Sequence, residues 1–205
     1  MKRVFALATA FVTGLALMSS APAGDKLEIG DSMPLPHVKM TNVDGTELNL
    51  REAMKPGGLV VIFSCNTCPF VIEWEETYND INAVASANDV GMILVNSNEA
   101  KRDGDDSMKE MMEHAKAQKY SMPYVVDKDH VVADAFGANT TPHVYFFDKN
   151  MTLVYTGAID DRYENSAKEV TQTYLTDAIQ AYMGDGTIDP ETTQNKGCSI
   201  KRVKQ

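Results

Sequence analysis

Cysteine is the first scarcity in this 205-residue chain: there are three. Small secreted domains stapled by disulfides use many more, so a disulfide scaffold is excluded. No uncharged apolar run reaches the about 20 residues needed to span a bilayer. Basic side chains are in deficit, 19 against 29 acidic ones. A surface of that sign repels phosphate backbones, which argues against nucleic acid as a partner. Internal repeats, coiled-coil heptads and low-complexity blocks are missing too, so nothing divides the chain into modules.

What is present suits one globular domain: 43% hydrophobic and 23% charged residues. The first residues stand apart from it. Lys2 and Arg3 precede an apolar run from Val4 to Met18, and Ala21 and Ala23 are spaced for signal-peptidase cleavage. That pattern predicts a secretory signal peptide over 1–23, hence an exported protein, periplasmic or secreted, with no stable membrane span after cleavage. Removing Lys2 and Arg3 but no acid leaves a mature net charge of about −12. The expected organisation is a leader (1–23), one domain (24–183) and a C-terminal tail (184–205) that carries Cys198.

The domain reads as alternating strands and helices. "VKMTNVDGTELNL" predicts a hairpin turning at Asp44-Gly45. "GGLVVIFS" and "VGMILVNSN" are short, continuous apolar runs, the mark of buried strands. Phe70, Trp74, Tyr78 and Ile81 recur at helical spacing, which predicts a helix from near Cys65 to about Ala87. Ser107 caps the helix "MKEMMEHAKAQ", "MPYVVD" is a strand, and "HVVADAF" is a brief helix. "PHVYFFD" and "TLVYTG" form a second hairpin, and residues 166–183 a last amphipathic helix. The expected class is α/β, with a mixed central sheet flanked by helices and extended by the N-terminal hairpin.

The chemistry gathers at "FSCNTCPF". A disulfide between Cys65 and Cys68 closes too short a loop to staple a fold but suits a bond that opens and closes. With a helix opening at Cys65, backbone N–H groups and the helix dipole favour its thiolate by roughly 0.3–1 kcal/mol. Cys65 is then the expected nucleophile and Cys68 the resolving thiol. Pro69 falls in the first helical turn, where its missing N–H costs little. A zinc half-site lacks a second Cys or His pair, and haem attachment would need His where Pro69 stands. No organic cofactor is required. The second proline of note, Pro142 in "NTTPHVYFF", opens a buried strand.

Taken with "GMILVNSNEA", "MPYVVDKDHVVADAFGANTTPHVYFFDKN", "LVYTGAIDDR" and the terminal "GCSIK", these motifs resemble a peroxiredoxin-like branch of the thioredoxin superfamily. That branch is related to the alkyl hydroperoxide reductase/thiol-specific antioxidant proteins, and the resemblance spans roughly residues 27–202. It implies a thioredoxin-like fold and a thiol–disulfide oxidoreductase that exchanges with protein or small thiol and disulfide substrates and with a redox partner. It also implies that Pro142 is cis and faces the cysteines, with Thr141 offering its backbone to substrate. Peroxiredoxins carry a hydroxyl residue three positions before the peroxidatic cysteine and a proline seven before. Counted from Cys65 those positions hold Ile62 and Gly58; counted from Cys68 they hold Cys65 and Val61. Peroxidase activity is therefore expected to be weak. The buried acid of thioredoxins has no counterpart in "LVVIF".

Three further readings stand. Cys198 is a candidate third redox thiol or a small apolar plug. Cys65, Cys68 and His143 together resemble the ligand set of thioredoxin-fold copper chaperones, which makes copper binding or delivery the alternative function. His37, His114 and His130 read as surface or loop residues, and "RDGDDS" as a solvated loop rather than a calcium site.

Overall fold

The computed structural model describes residues 26–163 and 169–203. The expected leader lies outside them. In chain order the strands are β1 (Met40–Asn42), β2 (Glu47–Leu48), β3 (Gly58–Phe63), β4 (Val90–Asn96), β5 (Tyr124–Val126), β6 (Thr140–Thr141), β7 (His143–Phe147), β8 (Leu153–Gly157) and β9 (Cys198–Ser199). The helices are α1 (Leu50–Ala53), α2 (Pro69–Trp74), α3 (Tyr78–Ala87), α4 (Met108–Ala117), α5 (Val131–Ala135) and α6 (Tyr174–Met183).

Seven strands form one sheet in the order β2-β1-β5-β4-β3-β7-β8. β3, β4 and β5 run parallel at its centre, and β7 joins β3 antiparallel, with Phe63 opposite His143. β3 is buried along its whole length, which is why its sequence is an unbroken apolar run. Its side chains alternate between two cores. Val60 and Ile62 pack with Trp74, Tyr78, Leu175 and Ile179; Leu59, Val61 and Phe63 pack with Phe136, Tyr145 and Phe147. Each such side chain, fully buried, contributes about 1.5–3 kcal/mol. The result is the thioredoxin-like mixed α/β architecture that the motifs imply, and the carboxyl end of β3 delivers the cysteine loop.

Four local expectations change. The helix after the cysteine pair, α2, starts at Pro69, not near Cys65, because a residue before proline is pushed out of the helical region: Cys68 sits at φ −70°, ψ 123°. That helix is also broken by a 3-10 turn at Glu75–Thr77 before α3 begins. The last helix starts at Tyr174; of the stretch expected to be helical before it, residues 166–168 lie outside the described residues, and in 169–173 Asp161 accepts from the backbone and hydroxyl of Thr171, which holds these residues in a non-helical path. Finally, Asp106, expected in a solvated loop, is fully buried, as is nearly all of His130, whose Nδ1 lies 2.7 Å from Asp134.

The tail is part of the fold. Thr193 packs against Gly157, where φ is +143° and a Cβ would lie 2.2 Å from Thr193 Oγ1, so only glycine fits. β9 then pairs antiparallel with β6, placing Cys198 opposite Thr141.

Candidate active site

The loop Ser64–Cys68 leaves β3 and ends on the cap of α2. Both cysteines are buried, Cys65 at 3% and Cys68 at 4% exposure, and they pack with Val71, Phe70 and Cys198. All three are thiols. Thr141 faces the pair across the site: its Oγ1 is 3.3 Å from Cys65 Sγ, and its carbonyl accepts from Cys68 Sγ at 3.1 Å. The Thr141–Pro142 bond is cis.

The electrostatics separate the two sulfurs. Hydrogen bonding from the Cys65 thiol pulls the Cys68 pKa down against the cost of burial, helped by the Cys198 thiol and by the backbone N–H groups of Val71 and Cys198. Against these donors stands one acceptor, the Thr141 carbonyl, which favours the neutral form. The donors prevail and hold the Cys68 thiol below its ordinary value, while the Thr141 hydroxyl acts on Cys65 in the same lowering sense without offsetting the causes that raise it. Cys65 is pushed up, because its proton is shared with Cys68, its surroundings are dry, and the Asp106 charge opposes a second anion. The helix start accounts for part of this: with α2 beginning at Pro69, its N-cap is Cys68.

Asp106 is the residue that sequence inspection missed. It accepts from Asn66 N at 2.9 Å and Asn96 Nδ2 at 2.8 Å through one oxygen, and from Asn98 Nδ2 at 2.9 Å through the other. The Asn66 side chain is held as well, by Tyr124 OH at 2.9 Å and the Asp105 carbonyl at 2.8 Å. A buried acid does approach the cysteines, from the loop before α4 rather than from β3. The signal available was "NSN", polar residues ending a buried strand at the sheet's carboxyl edge, where sites of α/β folds gather.

His143 is buried and turned to other work. Its Nδ1 meets Tyr145 OH at 3.2 Å and its Nε2 meets Thr156 Oγ1 at 3.4 Å. Among the described residues no three His, Cys, Asp or Glu side chains come together to hold a metal ion, so the copper ligand set is not assembled. His114 is not a surface residue either, since its Nε2 lies 2.6 Å from the buried Glu75 carboxylate.

Comparison with known proteins agrees with this frame. The profile of the AhpC/TSA family matches residues 29–156. An uncharacterised conserved protein from Geobacillus kaustophilus is 30% identical, with a TM-score of 0.81 over 87% of this chain and 94% of its own. A hypothetical protein from Sinorhizobium meliloti is 26% identical, with a TM-score of 0.79 over 89% and 99%. A secreted Mycobacterium tuberculosis disulfide oxidoreductase shares the fold at 16% identity, with a TM-score of 0.53 over 71% and 96%. No curated protein matches. A thioredoxin-like sheet, two cysteines at the carboxyl end of its central strand and a family profile that covers most of the chain lead to one assignment: the chain belongs to the AhpC/TSA family.

Proposed function

We propose that the chain is an exported thiol–disulfide oxidoreductase in which Cys65 and Cys68 cycle between dithiol and disulfide. The observation that carries this reading is the meeting of two buried sulfurs at Thr141, the residue that precedes the cis Pro142. A thiolate beside a protonated thiol is what exchange needs: the first attacks a disulfide, and the second displaces the captured group. Sequence spacing assigns attack to Cys65; the electrostatics of the folded loop favour the reverse, with Cys68 attacking and Cys65 resolving. Export rests on the leader pattern at 1–23, and the mature acidity argues against nucleic-acid partners.

The test is mass-resolved alkylation of protein recovered outside the cytoplasm, whose mass also reports whether it begins at Gly24. Cys68 is expected to label with an inflection below the ordinary thiol value near 8.5, and Cys65 only in alkaline solution. Equal labelling of both at the rate of a free thiol rules the assignment out. Peroxide is a poorer substrate in this reading, because the position three before Cys68 carries a thiol instead of a hydroxyl. Hydrogen peroxide is accordingly expected to oxidise the pair no faster than it oxidises a simple thiolate.

A further inference from the structure

The tail motif "GCSIK" is not used by a two-cysteine cycle, yet the fold brings it onto the site. Thr141 pairs with Cys198 and Thr140 with Ser199, so the backbone edge beside Pro142 is already filled by this chain's own strand. The approach is close: a Cβ on Gly197 would lie 2.3 Å from the Thr141 carbonyl oxygen and 3.2 Å from Pro142 N. Before Cys198, Asn195 Nδ2 donates to Thr140 Oγ1, and the flank after it is fastened too. Ile200 N donates to Asn139 O at 2.9 Å, Lys201 N to Asn98 Oδ1 at 2.8 Å, and Ala100 N to Lys201 O at 2.8 Å. Arg202 Nε holds Asp134 at 2.7 Å.

Two consequences follow from this seat. An extended polypeptide cannot add to the Thr141 edge while β9 occupies it. Of the three thiols, Cys198 alone is partly exposed, while Cys65 and Cys68 are covered. Cys198 also packs against the cluster of Cys65, Cys68 and Val71 at the helix start.

We propose that Cys198 is a third catalytic thiol, the one that meets substrate, and that it relays disulfide exchange between low-molecular-weight disulfides and the buried Cys65/Cys68 pair. This rests on the dithiol reading above. Burial pushes the Cys198 thiol up to about 11, so it gives up its proton as its Sγ attacks one sulfur of R–S–S–R; an S–S bond forms, and RS⁻ leaves and takes that proton. Cys68 Sγ attacks Cys198 Sγ, the Cys68–Cys198 bond forms, and the second RS⁻ leaves and is protonated. Cys65 gives up its proton and attacks Cys68 Sγ, closing Cys65–Cys68. Cys198 departs as thiolate and takes the proton that Cys65 released. Two electrons pass from the dithiol to R–S–S–R, which ends as two RSH.

The experiment uses the full mature protein and hydroxyethyl disulfide. In Cys65→Ser the relay must stop at its middle state, so peptide mapping is expected to find a Cys68–Cys198 bridge. In Cys198→Ser, oxidation of the remaining pair is expected to slow at least tenfold. A short extended peptide carrying a mixed disulfide with the same hydroxyethyl group is expected to react at least tenfold more slowly than hydroxyethyl disulfide. Absence of the bridge, or an unchanged rate in Cys198→Ser, overturns the relay; equal rates for peptide and small disulfide overturn the size restriction. Rates that depend on Cys65 and Cys68 but not on Cys198 sink the relay alone. Rates indifferent to all three cysteines sink the dithiol reading as well.

Discussion

His143 illustrates how a residue's neighbours decide its chemistry. Its position directly after Pro142 suggests a ligand facing the cysteines. In the sheet its ring shares a face with Tyr145, 4.5 Å away, and is 3% exposed. Linear order revealed that His143 opens a strand; it could not reveal that Tyr145 and Thr156 take both ring nitrogens. Burial pushes the imidazole down to about 3. The unfolded chain protonates this histidine near 6.5, and the folded one stays neutral until far lower pH. Between those values the unfolded state binds the extra proton. The folded state therefore has its full stability above about 6.5 and loses it as pH falls toward 3. At pH 5 the loss is about 2 kcal/mol, from about 1.5 units at 1.36 kcal/mol each. Urea midpoints of the wild type and His143→Gln, compared at pH 7.5 and 5, check this. The wild type is expected to lose about 2 kcal/mol more than the variant, and parallel losses would refute the buried neutral imidazole.

At the scale of elements, the strands were legible because continuous apolar runs flanked by turns have few other uses, and β3 and β4 emerge where those runs predict. Helix boundaries were not. The 3.6-residue pattern from Phe70 to Ile81 cannot show that Pro69 delays the start or that a 3-10 turn divides the helix. That delay moves the N-cap from the first cysteine to the second. The loop before α4 was harder still, because three acids in "RDGDDS" look alike, and only the fold turns Asp106 inward beneath Asn66. Asp106 makes charge-assisted bonds to three buried N–H donors. Asp106→Ala is expected to destabilise the protein by about 3–5 kcal/mol, the cost of leaving such donors unpaired. It also removes a charge that keeps Cys65 protonated, so Cys65 should alkylate faster at fixed pH. Chemical denaturation and site-resolved labelling measure the two effects; a stability loss under 1 kcal/mol would mean that the network carries little.

Across the whole molecule, the fold class was legible from its alternating elements and its motifs, whereas the course of the tail was not, because residues 184–203 follow no period. They have little regular structure and still join distant parts of the fold. Ile188 enters the core with α6, Ile200 enters the opposite core with Phe136 and Ala138, and β9 lies between them on the active site. Such a segment is held by a few anchors, so it should open at lower free energy than the seven-stranded sheet. Ile200 is the anchor nearest Cys198 and is 5% exposed. Truncating a buried isoleucine to alanine costs about 2–5 kcal/mol in a rigid core. A tail that opens separately can release that cost by detaching rather than by unfolding the domain. Ile200→Ala should therefore move the global unfolding midpoint little while raising amide exchange in residues 191–203 and alkylation of Cys68 by an order of magnitude or more. A full-sized drop in global stability without faster labelling of Cys68 would mean that tail and sheet open as one unit, and the covering strand would then be a fixed wall of the site.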